Sequence, residues 1–195
     1  MKKLVLFALS VVASAAMAAG PMGPSSVIEI SGTSDQLTSI SGAIVVNKAS
    51  GSDSQALQNI ASNAGNVTIS GKSKQRATIE NLAFVTNVAE RNAIAQQNLA
   101  SNVGKVTIAA NSEQNVTVRA GALLANFAGA NTVAQQSLST NVGEVKIAAG
   151  TSIQTTNVGP LAAVLNSAYG HDAKAVQNIS SNNSCSTFTC ANSYR

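Results

Sequence analysis

A phrase that recurs at a constant step of 39 constrains this chain more than any other feature. ALQNIASNAGNVTISG at 56–71, AQQNLASNVGKVTIAA at 95–110 and AQQSLSTNVGEVKIAA at 134–149 are its copies. Asn63, Asn102 and Asn141 therefore keep equal spacing, and a fourth opening, AVQNISSN at 175–182, brings Asn182 after a further 41. A worn copy, VIEISG at 27–32, lies one such step before NVTISG at 66–71. Repetition at this period points to a solenoid or array in which each unit buries its apolar face against its neighbours.

Each unit divides into three extended pieces. The first is β-branched: VIEI at 27–30, VTI at 67–69, VTI at 106–108 and VKI at 145–147. Alternation of Val, Thr and Ile across two faces is a strand signal. The second begins at Gln36, Gln75 and Gln114, passes Ile40, Ile79 and Val118, and reaches Asn87 and Asn126, all in steps of 39. In the last unit the matching Gln154, Val158 and Asn166 are displaced by one, and Pro160, which has no N–H to give a ladder, predicts an imperfect or edge layer. The third is the Ala-Gln-Gln-Asn-Leu phrase, closed by Asn-Val-Gly. Helical hairpins are the alternative at this repeat length. The Gly and Asn punctuation and the missing stripe of large apolar residues favour strands. The expected fold is an all-β, parallel, in-register β-solenoid of about four 39-residue layers over 27–184.

In such a stack, residues one repeat apart lie roughly 4.8 Å above one another. Charges test this, because opposite signs at that distance pair and like signs repel. Asp35 precedes Lys74, Lys74 precedes Glu113, Glu80 precedes Arg119 and Lys105 precedes Glu144 by 39, and no like-charged pair occurs at that offset. Lys48 has no charge one repeat further on. The amides speak the same way: Asn63, Asn102 and Asn141 predict one ladder, Gln36, Gln75 and Gln114 a second, and Asn87 and Asn126 a third, each amide donating to one neighbour and accepting from the other. Four layers make a stack about 19 Å tall whose ends are open sheet edges, templates for another chain. End-to-end polymerisation is the expected consequence.

Composition matters at the ends of the chain. Lys2 and Lys3 precede an apolar run from Leu4 to Val12, and small residues from Ala13 to Gly20 follow. That is the outline of a secretory signal peptide over 1–19, cleaved near Ala18 or Ala19. The run is shorter than the roughly 20 residues of a membrane span, so the expectation is an exported chain without membrane insertion. GPMGPSS at 20–26 reads as a flexible lead-in. After the signal, ten Lys and Arg face eight Asp and Glu without a basic block, which argues against nucleic acid. Four Phe, two Tyr and no Trp suit thin layers closed by amides rather than a thick core. Cys185 and Cys190, in the tail 185–195, are read most simply as a small-loop disulfide, with free or mixed-disulfide thiols as the alternative. A metal site would need two further ligands, and only His171 is near.

LASNVGKVTIAANSEQN at 99–115, with LSTNVGEVKIAAGTSIQ at 138–154 and IASNAGNVTISGKSKQ at 60–75, resembles the repeat of Fap-type functional amyloid subunits. That family carries an Ala-Ser-Gly-Asn-x-Gly-x-x-x-Ala-Ala-Gly phrase followed by Asn and Gln. The resemblance covers nearly the whole chain after the signal, and the repeats, joined without long linkers, look more like the smaller, nucleating subunit. The tail departs from the pattern: four residues, Ser186 to Thr189, separate the cysteines where the family has two. The resemblance implies assembly into extracellular fibrils of a biofilm matrix, with itself and related fibril subunits as partners. It also implies a periplasmic chaperone and an outer-membrane secretion pore. Curli subunits are the second likeness, with a much shorter repeat.

Reactive chemistry finds no footing. His171 adjoins Asp172 but no nucleophile elbow accompanies them. Most of the eight carboxylates belong to the stacking pairs, which leaves no acid/base couple. The units lack the aspartates of calcium-binding repeats, and no phosphate- or dinucleotide-binding loop occurs. Asn66, Asn115 and Asn178 begin triplets of the glycosylation-acceptor pattern, common in Asn- and Thr-rich sequence. No cofactor and no enzymatic activity are expected. Two functions remain: a secreted structural subunit that polymerises, or a monomeric exported adhesin that binds through its flat face.

Overall fold

The computed structural model describes residues 27–92, 94–170 and 172–183. The expected signal peptide (1–19), the lead-in (20–26), His171 and the tail with Cys185 and Cys190 lie outside the described residues.

Within them the chain winds into four rungs of five strands. The first rung holds β1 (Val27–Ile30), β2 (Thr33–Ser41), β3 (Ile44–Ser50), β4 (Gln55–Ile60) and β5 (Asn63–Ala64). The second holds β6 (Asn66–Ile69), β7 (Lys72–Glu80), β8 (Phe84–Glu90), β9 (Ile94–Leu99) and β10 (Asn102–Val103). The third holds β11 (Val106–Ile108), β12 (Ser112–Val118), β13 (Leu123–Ala128), β14 (Val133–Leu138) and β15 (Asn141–Val142). The fourth holds β16 (Val145–Ile147), β17 (Ser152–Val158), β18 (Ala163–Ala168), β19 (Lys174–Ile179) and β20 (Asn182–Asn183). Equivalent strands pair parallel into five four-stranded sheets, with the first and fourth rungs at the edges. The fold is an all-β, in-register β-solenoid, with no helix among the described residues.

Five strands replace the three extended pieces read from sequence, because the long second piece turns a corner and the Asn-Val-Gly phrase forms a short strand of its own. The corner between β7 and β8 is made by Asn81 and Leu82, both at positive φ (56° and 60°), and is closed by Ala83 N–H donating to the Glu80 carbonyl. Ala120 with Gly121 makes the same corner one rung on. Pro160 falls in the fourth-rung version, outside both β17 and β18, so its missing N–H interrupts no strand.

Corners also carry the register changes. Pairing between the second and third rungs keeps a step of 39 in every sheet, as in Ser73 with Ser112 and Ile94 with Val133. The β2–β3 corner is one residue shorter than its successor, so β3 pairs with β8 in steps of 40, Asn47 against Asn87. The step returns to 39 by β4. In the fourth rung one extra residue enters before β17 and another before β19, giving Gln114 with Gln154 and Gln136 with Gln177. Insertions at corners leave the inward and outward faces of each strand unchanged, which a slip within a strand would exchange.

The interior is thin. Ile79 and Val118 pack with Val85, Leu124, Leu99 and Leu138 in the main apolar cluster. A second cluster is wholly alanine, Ala89 and Ala128 against Ala56, Ala95 and Ala134, and its small side chains let the two strands flanking the corner approach closely. Ile69, Val106 and Ile108 belong to a third. Gly104 and Gly143 sit at φ of 121° and 119°, and a Cβ on Gly104 would lie 2.3 Å from the Gly65 carbonyl oxygen. Glycine closes this corner because the backbones of successive rungs touch there.

Candidate functional site: amide columns and open end rungs

Among the described residues no three His, Cys, Asp or Glu side chains come together, and no helix is long and apolar enough to cross a membrane. A shallow depression lined by Lys72, Lys74, Glu113 and Thr151 crosses the outside of three rungs. The features that run the length of the molecule are columns of amides, and they end at the two open faces.

Asn63, Asn102 and Asn141 form one column, continued by Asn182. Asn63 Nδ2 donates to Asn102 Oδ1 at 2.9 Å, Asn102 Nδ2 to Asn141 Oδ1 at 2.9 Å, and Asn141 Nδ2 to Asn182 Oδ1 at 2.8 Å. Asn87 and Asn126 stand in a second, at 2.9 Å, extended by Asn47 and Asn166 at 2.8 Å each. Asn126 Nδ2 also reaches the carbonyls of Ala95 and Gln135 on the facing strands. Asn102, Asn87 and Asn126 are fully buried. An unmade hydrogen bond there would cost about 1–3 kcal/mol, so each column fixes the rung register as well as closing the interior.

The glutamines Gln36, Gln75 and Gln114 stack in register but do not form the ladder expected of them. Only Gln75 bonds its neighbour, Nε2 to Gln36 Oε1 at 3.4 Å. Their amides turn sideways instead. Gln36 Nε2 donates to Asn63 Oδ1 at 2.8 Å, Gln114 Nε2 to Asn141 Oδ1 at 3.0 Å, and Gln154 Nε2 to Asn182 Oδ1 at 2.7 Å. The physical reason is reach. The longer side chain spans the interior to the short strand opposite, where Asn63 Oδ1 accepts nothing from its own column and the Oδ1 of Asn141 and of Asn182 each has a lone pair left after accepting there. Gln36, Gln114 and Gln154 thus brace the asparagine column, while Gln75 Nε2 reaches the Ser101 carbonyl at 3.3 Å.

A true glutamine ladder exists elsewhere. Gln97 Nε2 donates to Gln58 Oε1 at 2.6 Å, Gln136 to Gln97 at 2.7 Å and Gln177 to Gln136 at 2.6 Å. Gln58, Gln97 and Gln136 share the repeat step of 39, so a search for amides at that spacing was enough to find them. Asn59 and Asn98 bond at the same step, 2.8 Å. The Asn47 link was hidden by the one-residue corner change. The ladders also differ in sense: both asparagine columns donate toward the fourth rung, and the glutamine ladder donates toward the first.

Of the four charge pairs read from spacing, three meet: Lys74 with Glu113 at 3.4 Å, Glu80 with Arg119 at 2.6 Å, and Lys105 with Glu144 at 3.5 Å. Asp35 stacks on Lys74 in register but accepts at both carboxylate oxygens, at 3.0 and 2.7 Å, from Nη2 of Arg76, two residues along the strand from Lys74, because Lys74 is already engaged by Glu113 on the other side. Hydrogen bonding to Asp35, and then its charge, raises the Arg76 pKa further above its ordinary value. Lys48, without a charge at the repeat step, pairs diagonally with Glu90 at 2.9 Å. Of the glycosylation-pattern asparagines, Asn178 is buried, while Asn66 and Asn115 are half-buried on strands.

No protein-family model, curated protein or solved structure matches this chain.

Proposed function

We propose that this chain is a secreted structural subunit that polymerises through its end rungs into extracellular cross-β fibrils for biofilm matrix and adhesion. One observation carries the reading. All five sheets end in unpaired strand edges, and among the described residues no further strand pairs with either end rung. The two asparagine columns and the glutamine ladder reach those faces with a residue able to continue each: Asn47, Gln58 and Asn63 at one end, Asn166, Gln177 and Asn182 at the other. An open parallel edge with buried, in-register amides is the geometry that templates a further strand. The Fap-like phrases and the signal-like N-terminus support export and a matrix role, and with them the partners that the resemblance implies.

The test is concentration dependence. The purified chain should convert after a lag into fibres with a meridional reflection at about 4.7–4.8 Å. A chain that stays monomeric at high concentration would leave the monomeric adhesin instead. Export is checked by mass spectrometry of extracellular protein, whose first residue should lie near Ala19 or Gly20.

A further inference from the structure

We propose that the fibril junction is head-to-tail, with the fourth rung of one copy against the first rung of the next, and that Glu29 and Lys146 form its ion pair. This rests on the polymerisation reading above and names the faces that meet and the contact that orients them.

Three observations carry it. The first is a column on the outer face of the first sheet, Glu29, Thr68, Thr107 and Lys146, each paired in register with the next. Its two inner positions are threonine, and its two charges stand on opposite end faces with opposite sign. Both are exposed, and neither has an ion-pair partner among the described residues. Stacking the fourth rung on the next first rung brings Lys146 over Glu29 at the spacing at which Lys105 already meets Glu144. The second is an inward column, Thr38, Ala77, Val116 and Thr156. The inner rungs carry alanine and valine there and the end rungs carry threonine, so at a junction threonine meets threonine. The end rungs match elsewhere too: Gln36 with Gln154, Val45 with Val164, Asn47 with Asn166 and Ile60 with Ile179. The third is ladder sense. Head-to-tail stacking sets Asn166 against Asn47 and Gln177 against Gln58 with donors facing acceptors, continuing the pattern of the inner rungs. Like-face docking reverses the strand direction and superimposes none of these columns. Extending the registers of β4 and β19 by two residues sets Asp53 against Asp172 at one corner of the same junction, a like-charge contact that the Glu29–Lys146 pair has to outweigh.

Charge reversal tests the proposal, because E29K alone sets two lysines at every junction and K146E alone sets two carboxylates there. Each variant alone should elongate about tenfold more slowly than wild type at low salt. Their equimolar mixture should recover, growing as an alternating copolymer, as should E29K/K146E alone. High salt should erase the differences. Should a reversed charge disturb the fold, E29Q and K146Q give smaller slowing in the same direction. Single variants that grow at the wild-type rate, or a mixture no faster than its components, overturn the head-to-tail pair and leave polymerisation standing. A wild-type chain that never polymerises removes both.

Discussion

The inner rungs and the end rungs are written in nearly the same residues, yet they differ in what covers them. Ile108, Val118 and Leu138 in the third rung are fully buried, while their partners Ile147, Val158 and Ile179 in the fourth are 45%, 45% and 43% exposed. In the first rung Ile30, Ile40 and Ile60 are 8–9% exposed. The two ends differ from each other: these inward isoleucines of the first rung are almost covered within the stack, while their counterparts in the fourth still lack a covering rung. The fourth-rung face therefore holds the larger apolar area still to be removed from water, worth roughly 1 kcal/mol for each half-covered aliphatic side chain.

The largest break in that comparison is expected where inner backbones touch. Gly104→Ala must fit a Cβ 2.3 Å from the Gly65 carbonyl oxygen at φ 121°. Backbone strain and overpacking together should cost about 3 kcal/mol or more. Gly32→Ala in the first rung meets nothing within 4 Å and should stay within about 0.5 kcal/mol of wild type. Urea midpoints of the two variants decide it, and equal losses would mean that rung contact does not set glycine use.

Amide truncation comes next. Asn126→Ala strips four partners, the Asn87 and Asn166 side chains and the carbonyls of Ala95 and Gln135, and should destabilise by about 3 kcal/mol. Asn47→Ala at the first rung strips Asn87 and the Leu57 carbonyl and should cost about 1 kcal/mol in the monomer. Hydrogen exchange sharpens this, because Asn126→Ala should lower amide protection in the rungs on both sides and Asn47→Ala only beside the end.

Aliphatic truncation isolates the apolar part of the difference. Val118→Ala should cost about 2 kcal/mol and Val158→Ala about half as much in the monomer. In the fibre, where a neighbouring copy covers Val158, the two penalties should converge. Thermal midpoints of monomer and fibre would show this, and a Val158→Ala penalty unchanged on assembly would argue that the fourth rung stays uncovered.

What the sequence disclosed follows the same division. Stacking was legible because identical side chains recur at a fixed step: Asn63, Asn102 and Asn141 announce both the fold and the contact they make. Contacts that depend on which strand lies opposite were not. The Gln36 set reads as a ladder until the short strand of Asn63 is placed across from it, and Asp35 reads as the partner of Lys74 until Arg76 comes within reach. Corners were the least legible. Leu82 at φ 60° is a conformation that no propensity assigns to leucine, and it is held by the rungs around it. The one-residue difference at the β2–β3 corner then hid Asn47 from any search at the repeat step.

The smallest expected effect is on the outer charges, where inner and end rungs differ little because water reaches both. Arg119 reaches Glu80 at 2.6 Å, but its side chain is 57% exposed, so the Coulomb gain is screened and Arg119→Ala should cost no more than about 0.5–1 kcal/mol. In 1 M salt, with a Debye length near 3 Å, that difference should fall toward zero. Asp35 and Arg76, one rung nearer the end, should respond to salt in the same way. The raised pKa of Arg76 gives this pair no further leverage through that group near neutrality. A base whose folded value lies above its unfolded one contributes its stability at every pH below the unfolded value, which for a guanidinium lies far above neutrality, and loses it only as pH rises through the folded value. Titrating the urea midpoint between about pH 6 and 9 should therefore show no slope removed by Arg76→Gln. A slope that disappears with the substitution would mean the guanidinium acts on stability through a group other than Asp35.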